Sequence, residues 1–177
     1  MSAQDDLYSD AIASYGAALE RLARAYEANI EDRRDLLQEI HFAIWRSFEI
    51  YDARCSSRTW VYRVAHNVAV SRVMRKRQFL CQLVSLEDLE MLPDRAAEYS
   101  ADRQPTLDQI SQLIQKLKPM DRQIILCYLE DMEAASIGEI TGLSPQNVAT
   151  RVHRIKNLLA RQYQKGVNDD RRPSKQR

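Results

Sequence analysis

Apolar residues recur at three- and four-residue intervals along most of this chain, the period of an α-helix with one buried stripe. Over residues 10–30 the stripe is Ile12, Leu19, Leu22, Ala23 and Tyr26, and Asn29 to Arg34 is a polar break. From Asp35 to Arg46 a second helix puts Leu37, Ile40, Ile44 and Phe48 on a core face. Asp35, Gln38, Phe42 and Trp45 line up on another face. That face mixes a carboxylate, an amide and two large rings, and it suits either a docked partner or packing against the first helix. Ser47 to Ser57 is irregular. A third helix then runs from Arg58 to about Arg77, with Val61, Val64, Ala65 and Val68 on its core side. Its other side carries Arg58, Thr59, Tyr62, Arg63, His66 and Asn67, beside a loop holding Tyr51.

The period is lost over residues 79–106, where Pro93, Pro105, acids and small polar residues read as a linker. Leu107, Leu113 and Leu117 restart a helix, Pro119 marks a break, and Asp121 to Leu129 reads as a further helix. Ile137, Ile140 and Leu143 mark a short helix ending near Gly142. Ser144 then offers a cap and Pro145 a first helical position, neither of which needs an intrahelical partner for its backbone nitrogen. Val148, Val152, Ile155 and Leu159 form the next stripe, leaving Gln146, Asn147, Thr150, Arg151, Arg154 and Lys156 off it. Helix, glycine turn and polar second helix is the pattern of a helix-turn-helix, and an amide-and-guanidinium face fits the major groove of DNA.

The formal charge of the whole chain is +1, but the charges are sorted along it. Residues 58–78 carry 6 basic groups and no acid, and residues 144–177 carry 9 basic groups and 2 acids. Two basic blocks in a near-neutral chain point to two separate anionic contacts. In the first block, cations interleave with aromatic rings, the combination that serves unpaired bases and their phosphates. His66 has no His or Cys neighbour at metal spacing, and no nucleophile, carboxylate pair or metal cluster appears at workable spacing, so no cofactor and no catalysis are expected.

Cys55, Cys81 and Cys127 are odd in number and widely spaced, which fits reduced packing residues rather than a disulfide framework. The acidic N-terminus lacks a signal pattern, and no apolar run approaches the roughly 20 residues of a membrane span. A cytoplasmic setting is expected. The fold expected is all-α: two small helical domains joined by a flexible acidic linker, the second containing the helix-turn-helix. The boundaries drawn are 1–78, a linker at 79–106, 107–165, and a disordered basic tail at 166–177.

In order and spacing these segments resemble the sigma factors of bacterial RNA polymerase, the sigma-70 superfamily, and most of all its extracytoplasmic function (ECF) group. Asp35-Leu36-Leu37-Gln38-Glu39-Ile40 is similar to that family's polymerase-docking helix. The run Arg58 to Asn67 is similar to the helix that meets the promoter's minus-ten element. Leu117-Lys118-Pro119, Tyr128-Leu129-Glu130, Ile137-Gly138-Glu139-Ile140, Gly142-Leu143-Ser144 and Val148 to Arg154 are similar to the minus-thirty-five reader. The resemblance covers residues 10–78 and 107–162.

It implies three surfaces: Asp35, Gln38 and Glu39 toward core RNA polymerase; Tyr51, Arg58, Trp60, Arg63 and Asn67 toward the melted minus-ten element; and Gln146, Asn147, Thr150, Arg151 and Arg154 in the minus-thirty-five major groove. Trp60 fits the core equally well. It also implies promoter DNA, double-stranded and melted, and an anti-sigma factor as partners. The family commonly has Gly and Phe where this chain has Ala53 and Ser57. Where it often has a serine opening the first helix of the helix-turn-helix, this chain has Glu133, so Asp131 is expected to be the cap. Ala149 stands where a basic residue is frequent. The competing readings are a helix-turn-helix regulator with an N-terminal effector or dimerisation domain, and a helical interaction protein that binds no DNA.

Overall fold

The computed structural model describes the backbone of residues 3–83 and 105–170, with the side chains of 3–76 and 110–162. The described residues are helical and contain no strand. Helices α1 (Ala3–Tyr26), α2 (Ile30–Ser47) and α3 (Ser57–Leu83) pack on one another as a first unit, with a 3-10 turn at Phe48–Ile50. Helices α4 (Pro105–Gln115), α5 (Pro119–Leu129), α6 (Ala134–Thr141) and α7 (Pro145–Asp170) form the second. The part of the expected linker between residues 83 and 105 lies outside the described residues. Helix α7 runs through Asp170, so residues 166–170, expected in a disordered tail, are helical.

Local chemistry accounts for the helix ends. The Asn29 side chain accepts from the backbone nitrogens of Glu31 and Asp32, and so caps α2. The Ser144 hydroxyl accepts from the nitrogen of Asn147, and Pro145 opens α7. Asp131 does not cap α6. The cap is Glu133, with no side-chain bond, while Asp131 sits two residues earlier in a left-handed turn at φ 54°. An aspartate tolerates that conformation better than most side chains, which gives it a reason to be there other than capping.

The first core holds Leu19, Leu22, Leu36, Ile40, Ile44, Val61, Ala65 and Ala69; the second holds Ile114, Ile124, Ile125, Ile137, Val148, Val152 and Ile155. In α2 the inward residue ahead of Ile40 is Leu36, with Leu37 only half-buried. The two units are docked through α1 and α3 of the first against α4, α5 and α6 of the second. A second flank of α3 is also buried: Thr59, Tyr62 and His66 are 2 %, 2 % and 0 % exposed. These three were expected on an open face. A helical period identifies residues that share a face, but not what covers it.

Candidate nucleic-acid interface

The face of α2 away from its core is open. Asp35, Gln38, Phe42 and Trp45 are all exposed, Phe42 by 61 %. The Phe42 and Trp45 rings lie 6.2 Å apart, and the Trp45 indole donates to Asp5 at 3.1 Å. Thus Trp45 is tied to α1 while Phe42 projects. Glu39 differs from Asp35 and Gln38. It accepts from Arg72 at 2.7 Å and from Arg75 at 3.2 Å, both on α3. Asp35 is 3.8 Å from the same Arg72 guanidinium and otherwise faces solvent. Next to this pair, Lys76 bonds Glu27 at 2.6 Å and Asp32 at 3.0 Å. The hydrogen bond from Lys76 holds the Asp32 carboxyl below the usual range. Much of the basic charge of α3 is thereby neutralised by acids of α2 and by Glu27 of the turn before it, rather than offered to an anion.

Asn67 is exposed and lines a cleft between α2 and α3 with Glu39, Phe42, Val68, Ser71 and Arg75. Tyr51, Arg58, Trp60 and Arg63 lie elsewhere. The Tyr51 ring stacks 5.3 Å from Trp60, and its hydroxyl donates to the Cys55 carbonyl at 2.7 Å. The Trp60 indole donates to Ser47 at 2.9 Å, so Trp60 is half-buried and closes the loop onto α3. Ala53 in this loop has φ 58°, a left-handed conformation that favours glycine. Arg58 and Arg63 reach across to the second unit. Arg58 donates to the carbonyl of Glu130, and Arg63 to that of Glu139 at 3.0 Å. Their Nε atoms are buried without a partner.

Two titratable groups meet in the seam between the units. Burial pushes the His66 imidazole down to about 3 and the Cys127 thiol up to about 12. His66 shares a hydrogen bond with the Tyr26 hydroxyl at 3.2 Å, and its other nitrogen is 3.4 Å from the Cys127 sulfur. Both groups are therefore neutral and serve packing. Cys55 is half-buried, and the Cys81 side chain is outside the described residues.

In the helix-turn-helix, Gly142 takes φ 77° and donates to the carbonyl of Gly138 at 2.8 Å. Gly138 is needed for space, since a Cβ there would lie 2.6 Å from the Leu143 carbonyl oxygen. The two glycines set α6 tightly against the start of α7, whose Val148, Val152 and Ile155 are buried. Gln146, Asn147, Thr150 and Arg154 are exposed together, and Arg151 is half-buried beside them. The Thr150 hydroxyl donates back to the Gln146 carbonyl at 3.0 Å. Arg151 and Arg154 both donate to Asp121 on α5, at 2.8 Å and 3.0 Å. Asp121 was not among the residues singled out from the sequence. It lies 30 residues from Arg151, and no local pattern links the two.

The sigma-70 region 2 family model matches residues 4–79, and the sigma-70 region 4 model matches residues 107–159. The ECF RNA polymerase sigma factor SigW of Bacillus subtilis is 26 % identical over 166 residues, 89 % of each chain. The RNA polymerase sigma factor CnrH of Cupriavidus metallidurans is 26 % identical over 161 residues, covering 86 % of this chain and 84 % of that one. Among solved structures, the sigma factor RpoE in complex with the anti-sigma factor NepR, from Bartonella quintana, superposes with a TM-score of 0.70 at 18 % identity, covering 89 % of this chain and 96 % of that one. CnrH bound to the cytosolic domain of CnrY superposes at 0.60 with 20 % identity, covering 93 % of this chain and 89 % of that one. Two successive regions of one family thus match the two helical units in order, and the chain belongs to the sigma-70 family of RNA polymerase sigma factors, in its ECF group, and is a transcription initiation factor.

Proposed function

We propose that this chain docks on core RNA polymerase through Asp35, Gln38 and Glu39, holds the melted minus-ten element with Tyr51, Arg58, Trp60, Arg63 and Asn67, and reads the minus-thirty-five element with Gln146, Asn147, Thr150, Arg151 and Arg154. On this reading residues 1–78 form the docking and melting domain, and 107–165 the duplex-reading domain. The observation that carries the docking claim is the outer face of α2. Its core stripe is complete in Leu36, Ile40 and Ile44, yet Asp35, Gln38 and Phe42 stay exposed on the other side. An open face with a large ring at its centre is what a partner's anchor pocket takes. Asn67 opens on the same cleft as Phe42 and Glu39, so a strand held there would lie next to the docked polymerase.

The protein acts by recognition and performs no bond chemistry of its own. It works in the cytoplasm, and no described helix is long and apolar enough to cross a membrane. An anti-sigma factor is a further partner; RpoE is held by one, NepR, and CnrH by the cytosolic domain of CnrY, in their solved structures.

The docking claim is tested with Asp35→Lys combined with Gln38→Ala. Glu39 is left in place, because reversing it would strip Arg72 of its closest acceptor, at 2.7 Å, and disturb the fold. Co-purification with core polymerase and run-off transcription should both fall by about tenfold or more, at an unchanged unfolding midpoint. Wild-type recovery with core would sink the docking assignment.

A further inference from the structure

We propose that Asp121 is a positioning residue for minus-thirty-five readout, holding Arg151 and Arg154 in the geometry with which they meet base edges. The proposal rests on the reading that these two arginines enter the major groove. Asp121 stands in the first turn of α5, and its side chain is only 13 % exposed. The positive end of a helix favours a carboxylate at such a position. Its Oδ1 accepts from Arg151 Nη1 at 2.8 Å, and its Oδ2 from Arg154 Nη2 at 3.0 Å. One fixed anion therefore orients two long side chains that stand one turn apart on α7.

The hydrogen-bonding pattern leaves a complete donor fork free on Arg151 and single donors free on Arg154. Arg151 spends Nη1 on Asp121, so its Nε and Nη2 can still form the planar fork that matches N7 and O6 of guanine. Arg154 spends Nη2 on both carboxylate oxygens, at 3.3 Å and 3.0 Å, and keeps Nη1. An unheld arginine must be ordered when it binds, and it accepts any nearby phosphate. A held one has lost much of that freedom beforehand. The carboxylate also repels phosphates, so it lowers binding to wrong sequences. Asp121 should therefore raise discrimination without raising total affinity for DNA.

The test uses the full chain assembled with core polymerase and a pool of duplexes randomised through the minus-thirty-five window. Retained duplexes are sequenced, total retention is measured, and thermal unfolding of each variant is recorded. Arg151→Ala and Arg154→Ala identify the positions each arginine reads. Asp121→Asn keeps the shape and removes the charge. At those same positions its enrichment should drop by about tenfold, with total retention equal to or above wild type and unfolding unchanged. Wild-type enrichment in Asp121→Asn, with the arginine variants defective, would overturn the positioning role and leave the arginine reading intact. Wild-type enrichment in both arginine variants would overturn the arginine reading itself, and the proposal with it. A joint fall of retention, enrichment and melting temperature would make Asp121 a structural acid of α5 and also overturn the proposal.

Discussion

His66 has no solvent exposure, and the groups that face it are Tyr26, Tyr62 and Cys127, with Arg122 stacked 5.0 Å above the Tyr26 ring. All but Arg122 are neutral at pH 7, and burial raises the pKa of both phenols. The imidazole titrates at about 3 in the fold, against an ordinary 6.5. Between those values the unfolded chain binds a proton that the folded chain refuses. The stabilisation is therefore fully present above about pH 6.5 and is lost as pH falls toward 3. From pH 7.5 to 5.5 urea unfolding should show a loss of about 1.4 kcal/mol from this group. His41, also shifted down by burial, adds in the same direction. His66→Gln should be less stable at pH 7.5 but have a flatter pH slope. A slope as steep as that of wild type would move the effect to His41.

The helix-turn-helix depends on how closely α6 meets the start of α7. Gly138→Ala drives a methyl to 2.6 Å from a backbone oxygen, which no rotamer change can relieve. The cost should be about 1–3 kcal/mol, as for other overpacked sites. Gly142→Ala meets nothing within 4 Å and suffers only the strain of its φ of 77°, about 1–2 kcal/mol. Unfolding midpoints should therefore rank wild type, Gly142→Ala, then Gly138→Ala, with duplex retention falling in the same order. A Gly138→Ala midpoint at the wild-type value would refute the close-approach argument. Lys156 of α7, 5.2 Å above the Tyr128 ring of α5, lies off the turn, so its truncation is a control.

In the whole molecule, the second unit sits on two residues assigned to minus-ten DNA. Glu130 is the centre of the seam: its carboxylate accepts from Nε and Nη2 of Arg21 at 2.7 Å, and its carbonyl accepts from Arg58. Gln115 adds a bond to the Arg24 carbonyl at 2.8 Å. The seam also strands two buried donors, Arg58 Nε and Arg63 Nε, each at a cost of about 1–3 kcal/mol. On the proposed reading, both arginines leave these carbonyls before they meet phosphates. Arg21→Glu replaces an exposed ion pair with a repulsion, a change of about 1 kcal/mol or more. It should raise the alkylation rate of Cys127, which is 0 % exposed in the docked form, by about fivefold, and should enlarge the radius of gyration. Exchanging the charges with Arg21→Glu plus Glu130→Arg should restore both. An unchanged alkylation rate and radius in Arg21→Glu would mean that the ion pair does not hold the units together.

The presence of the helices, the helix-turn-helix with its Ser144 cap, the two basic blocks and the family were legible in the chain, but the start of α2 at Ile30, inside the expected break from Asn29 to Arg34, was not. The helices and the turn rest on spacing within a few helical turns, where helix geometry alone decides which side chains share a face, and the family rests on the order of such segments along the chain. The role of Asp121, the pairing of Glu39 with Arg72 and the covering of Thr59, Tyr62 and His66 were not legible. These join residues brought together by packing across 30 or more positions, up to the 109 that separate Arg21 from Glu130. A periodic pattern carries no address for its partner surface. Asp131 shows the same limit at short range: as a turn-forming acid ahead of a helix it reads equally well as a cap, and only the backbone dihedral decided against it. What the tertiary structure decided is which charges of this protein are already neutralised at home and which remain for a polymerase or a promoter.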